Sequence, residues 1–252
     1  MKLRTPAASL AILVFTAGIV YAADRFSVRA GEFDPGNTFL VQAQWLDGIG
    51  CPNGTGYNDP ACVTANDSSD KHNQGLLLAK TGPTATNASA FAVINGVKGP
   101  ITELGYDLRK PTSAAAPMGS HCGAGAPRFN VETTTAFYFI GCNSPPAVQT
   151  ATGNGWIRLR WGGSVPLVGF NTTTGTFTAV TGDVKSLSIV FDEGQDTGPD
   201  FFGLAVLDNI DVNGALVGRG DNADNNKKDK NKNKDKDHGD NGNDDDQGED
   251  DC

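Results

Sequence analysis

Residues 186–214 read SLSIVFDEGQDTGPDFFGLAVLDNIDVNG. Apolar residues alternate with serine from Ser186 to Phe191, which predicts a half-buried β-strand. An acidic loop that contains glycine follows this strand. A second predicted strand runs from Phe201 to Val212 and stops at the turn dipeptide Asn213-Gly214. The stretch therefore predicts two strands joined by an acidic loop.

The second predicted strand carries a carboxylate among apolar residues. Alternation with period two places Asp208 on one face with four apolar side chains, namely Leu204, Val206, Ile210 and Val212. Asp208 must be paired, hydrogen-bonded or metal-bound there, because an isolated buried charge is very costly. The loop before it adds oxygen ligands of the kind that Ca²⁺ prefers. We therefore predict a structural calcium site formed by Asp192, Glu193, Asp196, Asp200 and Asp208.

Two alternatives to the calcium site stay open. In the first, the loop is a solvated acidic turn, and backbone amides or an arginine satisfy Asp208. In the second, two of Asp192, Glu193 and Asp200 are the catalytic carboxyls of a glycan-active hydrolase. Such an enzyme needs two carboxyls about 5–9.5 Å apart in an open cleft.

The rest of the chain favours short strands over helices. It is rich in glycine, threonine, asparagine and aspartate, and alternating apolar patterns recur between turn signals, for example at residues 39–45 and 155–161. Roughly eight or more short strands in such an arrangement predict an all-β, jelly-roll-like β-sandwich.

The composition divides the chain into three parts. Residues 1–22 have a basic start, an apolar run and a small-residue cleavage site, so we interpret them as a secretory signal peptide. Residues 23–219 form the predicted β-sandwich domain. Residues 220–252 contain mainly Asp, Asn, Lys and Gly, and we expect this tail to be disordered. No second apolar run exists, so we expect a secreted, extracellular or periplasmic protein without a membrane span after signal cleavage.

The charge pattern excludes one class of partner. The formal net charge is −9 at pH 7, and no basic face is visible in the sequence. Nucleic acid is therefore not an expected partner. The common hydrolase motifs G-x-S-x-G and H-E-x-x-H are also missing from the sequence.

Four cysteines lie in the domain, and an exported chain is expected to pair them. Three pairings are open. We favour Cys51–Cys62, which closes a turn-rich segment, and Cys122–Cys142, which ties two neighbouring segments. The fifth, Cys252, is left over at the end of the tail and can be free or can link two copies as a dimer.

A second candidate site lies in the predicted strand at residues 155–161. Alternation places Trp156, Arg158 and Arg160 on one face. An exposed indole offers an apolar platform for a sugar ring, and guanidinium groups donate in pairs to hydroxyls or carboxylates. A polysaccharide or cell-surface glycan is therefore the predicted ligand of this face. In the alternative, Trp156 packs under a loop and the arginines pair with local acids.

The strand–FDEGQDTGPDFFG–AVLDNIDVNG pattern resembles the last hairpin of secreted bacterial jelly-roll domains. These domains include carbohydrate-binding modules and extracellular proteins sorted by exosortase systems. The resemblance implies that the two strands pair, and that Asp208 matches an aspartate that helps to hold a structural calcium in several carbohydrate-binding modules.

These patterns together predict a secreted, non-catalytic β-sandwich module that binds extracellular glycan, with calcium as a structural cofactor. The competing predictions are a structural surface or matrix protein without a small ligand, and a glycan-active hydrolase. A binding module needs coplanar exposed aromatic rings on one sheet. A purely structural protein lacks such a platform and self-associates.

Overall fold

The structure is a computed structural model of the chain. The residues that it describes are 26–51, 70, 72–82, 84, 88–110, 126–142, 144, 148–151, 156–192 and 203–220. The predicted signal peptide and the tail after Gly220 lie outside these residues, as does most of the acidic loop.

The described residues form an all-β fold. Its strands in chain order are β1 (Ser27–Phe33), β2 (Val41–Leu46), β3 (Gly75–Lys80), β4 (Ser89–Asn95), β5 (Glu103–Arg109), β6 (Arg128–Thr133), β7 (Phe137–Ile140), β8 (Val148–Ala151), β9 (Trp156–Gly162), β10 (Val168–Asn171), β11 (Thr176–Ala179), β12 (Val184–Phe191), β13 (Leu204–Val212) and β14 (Ala215–Val217). Within the described ranges no helix is long and apolar enough to cross a membrane.

The strands make two antiparallel sheets that pack face to face. Sheet A has the order β1-β4-β12-β6-β7-β10-β11, and sheet B has the order β2-β3-β13-β5-β9-β8, with β14 paired to β13. Alternate apolar residues of both sheets fill one shared core. The predicted β-sandwich is therefore confirmed.

Three aromatic side chains join the two sheets at the centre of the core. Tyr106 and Trp161 come from sheet B, and Phe129 comes from sheet A. The ring centroid of Tyr106 lies 5.4 Å from each of the other two rings. The polar atoms are satisfied as well, because the Tyr106 hydroxyl donates to the Pro127 carbonyl at 2.6 Å and the Trp161 indole donates to the Gly141 carbonyl at 3.0 Å.

The expectation that β12 and β13 pair with each other, which the resemblance to a closing hairpin implies, is wrong. β12 lies in sheet A between β4 and β6, whereas β13 lies in sheet B between β3 and β5. The acidic loop therefore crosses from one sheet to the other. Each strand pairs elsewhere, so the loop is not a hairpin turn.

The prediction that Asp208 shares a face with four apolar residues is correct for Leu204 and Val206 and wrong for Ile210 and Val212. A bulge interrupts the register of β13 between Asp208 and Asp211, and Asn209 has a positive φ of 45°. Ala205 and Leu207 face the core before the bulge, and Ile210 and Val212 face it after the bulge. Asp208 and Asp211 therefore both lie on the outer face of sheet B, away from the main core.

The predicted turn at Asn213-Gly214 is confirmed, and a second hairpin connection lies between β10 and β11. Asn213 and Gly214 both have positive φ, 53° and 82°, and they join β13 to β14 as a two-residue hairpin turn. The segment 171–175 joins β10 to β11, which pair in an antiparallel hairpin.

Candidate functional site

Strand pairing brings two predicted arginines beside an aspartate on the outer face of sheet B. In β5, Leu104, Tyr106 and Leu108 face the core, so Asp107 faces outward. β9 pairs with β5 so that Arg158 lies directly opposite Asp107. Although this face points away from the main core, Asp107 is fully buried at 0 % exposure.

The charged groups form a closed network. Arg158 makes a two-pronged ion pair with Asp107, with Nε–Oδ1 at 2.7 Å and Nη2–Oδ2 at 2.8 Å. Arg160 Nε lies 2.9 Å from Asp211 Oδ2, and its Nη2 lies 3.8 Å from Asp107 Oδ1. The Asn209 amide donates to Asp107 Oδ2 at 2.8 Å. We call Asp107, Arg158, Arg160, Asp211 and Asn209 the ion network.

A glycine makes room for this network. Gly105 lies opposite both Arg160 and Asp211 in the sheet. A Cβ on Gly105 would lie 2.3 Å from Arg160 Cδ and 2.6 Å from Arg160 Nη1, well inside van der Waals contact. The missing side chain therefore lets Arg160 cross β5 and reach Asp211 on β13.

Burial sets the protonation behaviour of the acids in the network. It raises the pKa of Asp107, while the hydrogen bonds and charges of Arg158 and Arg160 act in the opposite direction. Burial also raises the pKa of Asp211 to about 6, again opposed by Arg160. These groups are inside the protein with fixed partners, so they do not form an open acid–base pair.

Asp208 belongs to a different contact. One carboxylate oxygen accepts the Cys51 backbone N–H at 2.6 Å, and the other accepts the Asn209 N–H at 2.6 Å. Burial raises the pKa of Asp208 well above its usual range, and the nearby Asp107 carboxylate adds to that rise. Asp208 thus anchors the start of the long 47–75 loop to β13, as the backbone-amide alternative describes.

The loop is also fixed at its other end. Asp70 Oδ2 accepts the Gln74 N–H at 2.8 Å, and the Asn73 amide donates to the Gly50 carbonyl at 3.2 Å. A Cβ on Gly50 would lie 2.2 Å from the Gln74 carbonyl oxygen. The two stems of this loop therefore lie against each other over sheet B.

The predicted sugar platform is not exposed. Trp156 has 1 % exposure and packs with Cys51 and the partly buried Val206 in a small second core. Arg158 and Arg160 are engaged in the ion network. Their side chains are only 13 % and 15 % exposed. The face predicted to bind a glycan is therefore covered, and its arginines pair with local acids.

Asp192 is the one predicted loop ligand that the structure describes. It pairs with Arg128 through both carboxylate oxygens, one of them at 2.6 Å, and its carbonyl accepts the Lys80 ammonium at 2.6 Å. Burial alone would raise the pKa of Asp192, but the hydrogen bonds and charge of Arg128 bring it below the ordinary value. The carboxylate is therefore committed to an arginine.

The other predicted calcium ligands, Glu193, Asp196 and Asp200, lie outside the described residues. Among the residues that are described, no group of three or more His, Cys, Asp or Glu side chains is placed to hold a metal ion. β12 and β13 also lie in different sheets, so strand pairing does not bring the loop to Asp208.

The cysteine pairing stays a prediction. Cys51 and Cys142 are disulfide cysteines. Cys62 and Cys122, which we pair with them, lie outside the described residues, as does Cys252.

Sequence reasoning missed four residues of this site: Gly105, Asp107, Asn209 and Asp211. The string ELGYDLRK does contain a signal, because Asp107 alternates with Leu104, Tyr106 and Leu108 and so shares a face with Gly105. An acid facing a strand that presents two arginines predicts an ion pair. That step requires the pairing of β5 with β9, which lie about 50 residues apart.

Comparison with known proteins assigns the chain to no family. No protein-family model matches the chain, and neither a curated protein nor a solved structure matches it.

Asp211 predicts a specific pH dependence. Its pKa is about 6 in the folded protein and near 3.8 when unperturbed. The folded state therefore holds more protons between these values, and stability falls as the pH rises from about 4 to about 6. The loss is on the order of 3 kcal/mol. We expect Asp211→Asn to flatten this part of the curve, measured by urea unfolding at a series of pH values.

Asp192→Asn is the matched control for that experiment. The lowered pKa of Asp192 places its own contribution below pH 4, where stability is lost as the pH falls. This variant should keep the wild-type slope between pH 4 and 6. An Asp211→Asn protein with that same slope would show that Asp211 does not titrate in this range.

Proposed function

We propose that the protein is an exported, non-catalytic structural module of an extracellular surface or matrix. The observation that carries the proposal is the state of the ion network, whose acids and arginines are buried and bonded to one another across β5, β9 and β13. Side chains in this state hold three strands of sheet B together.

The state of the carboxylates supports a non-catalytic role. Asp107 and Asp211 pair with arginines, Asp208 accepts two backbone amides, and Asp192 pairs with Arg128. A hydrolase needs two carboxyls that reach substrate. Of the acids that we considered for that role, Asp192 is committed to Arg128, and Glu193 and Asp200 lie outside the described residues.

Glycan binding is the second candidate, and a different face favours it. Phe139, Phe170 and Phe177 occupy paired positions on β7, β10 and β11 and point outward from sheet A. The Arg128 guanidinium lies 5.0 Å from the Phe139 ring centroid. The rings of Phe170 and Phe177 meet at 74°, however, so they form an edge-to-face pair and not a flat platform for stacked sugars. This geometry favours the structural role.

The two candidates make opposite predictions in a binding experiment. We expect the exported protein to migrate unretarded in native gels cast with a panel of neutral and acidic polysaccharides. We also expect it to release no reducing sugar from them. Retardation that Phe170→Ala abolishes and Phe33→Ala preserves would replace the structural role with glycan binding, because Phe33 is an exposed phenylalanine on the distant strand β1. Release of sugar would establish an enzyme.

A structural calcium remains part of the proposal in a narrower form. The ligands would come from Glu193, Asp196 and Asp200, because Asp208 already accepts two amides. We therefore expect Asp208→Ala to lower the melting temperature but to keep the wild-type response to calcium and chelator. Ligand binding to the native state alone adds about 2.7 kcal/mol at a hundredfold excess over Kd. A calcium response that disappears in Asp208→Ala would restore Asp208 as a ligand.

A further inference from the structure

We propose that β11 pairs antiparallel with β11 of a second copy, so that the two A sheets become one continuous sheet. The proposal rests on the proposed structural function, for which it names the partner. β11 forms the end of sheet A, and among the described residues only β10 pairs with it.

The backbone of β11 turns hydrogen-bonding groups toward this edge, and no described residue pairs with them. The Val180 N–H donates to the Leu167 carbonyl, which fixes the alternation of the β10–β11 ladder. In an antiparallel pair, every second residue turns its N–H and C=O away from the partner strand. Phe177 and Ala179 are therefore the residues whose backbone groups face the open edge, and both residues are exposed.

The chemistry of this edge favours pairing. The strand reads Thr-Phe-Thr-Ala and carries no charge and no proline, which are the usual means of blocking an edge. The opposite end of the sandwich is different. There β1 carries Arg29 and Glu32, and the Glu32 carboxylate accepts the Ala43 N–H of the neighbouring edge strand β2 at 2.9 Å. A side chain thus caps one edge, whereas no described side chain caps β11.

A two-fold axis perpendicular to the sheet fits the side chains. With Thr178 opposite Thr178 of the second copy, each Phe177 lies opposite Ala179, and the outward N–H and C=O groups of these two residues bond to one another. A large ring then lies beside a methyl group on the same face. The row formed by Phe139, Phe170 and Phe177 then lies on the same face as the matching row of the second copy, displaced from it by two residues along the strand.

The predicted association is weak and depends on salt. The contact contains one four-residue strand from each copy, so it belongs to the small, transient class of interfaces. We expect a dissociation constant of roughly 10–1000 µM. The formal charge of −9 makes the copies repel, so added salt should strengthen the dimer by screening.

Sedimentation velocity over about 10–500 µM tests this pairing, with the exported chain carrying Cys252→Ser so that no intermolecular disulfide contributes. We expect a reversible monomer–dimer equilibrium. Ala179→Lys, which places a charge on the edge, should weaken it at least about tenfold. Ala179→Pro, which removes an outward N–H and leaves the bonds to β10, should do the same.

Val165→Lys is the matched control. It adds the same charge at another exposed apolar residue, 42 % exposed, that lies outside β11, and it should leave the equilibrium unchanged. Unchanged melting temperatures would show that the variants fold. A chain that is monomeric up to 500 µM, or a dimer that survives both Ala179 variants, would overturn the pairing. Because the Cys252→Ser change removes the other route to a dimer, neither result by itself overturns the proposed function, which sugar binding or turnover would overturn.

Discussion

The two-pronged ion pair between Asp107 and Arg158 is the interaction on which the outer layer of this sandwich depends. Both groups lie on a sheet face that would ordinarily meet water, yet Asp107 is fully buried. Burying one of them alone would cost several kcal/mol, so each requires the other. With the pair in place, Trp156 and Cys51 can pack beside it, and the two described stems of the 47–75 loop can lie over sheet B.

The bulge at Asn209 makes this arrangement possible. A regular strand would place either Asp208 or Asp211 in the main core, since three positions separate them and side chains alternate. Positive φ at Asn209 resets the alternation, so both acids lie on the outer face while Ile210 and Val212 still reach the core. The same residue donates its amide to Asp107, so the bulge and the ion network support each other.

Patterns within single strands were predictable, and pairings between distant strands were not. Alternation predicted the β-sandwich and the common face of Trp156, Arg158 and Arg160, and the Asn-Gly dipeptide predicted the turn at Asn213-Gly214. It could not show that β12 and β13 belong to different sheets, because both are equally apolar. Nor could it show that Trp156 is covered, since that depends on Cys51 about 100 residues earlier. The ion network was not predictable either, because it depends on the register with which β5 pairs with β9.

A double-mutant cycle on Asp107→Asn and Arg158→Met tests the central claim, that these charges serve the fold as a coupled pair. Each single variant should lose about 3–5 kcal/mol of unfolding free energy, and the double variant should lose far less than the sum. The partly exposed pair Arg128–Asp192 should show a much smaller coupling, about 0–1 kcal/mol. Losses at Asp107 and Arg158 that add to within about 0.5 kcal/mol would contradict the account.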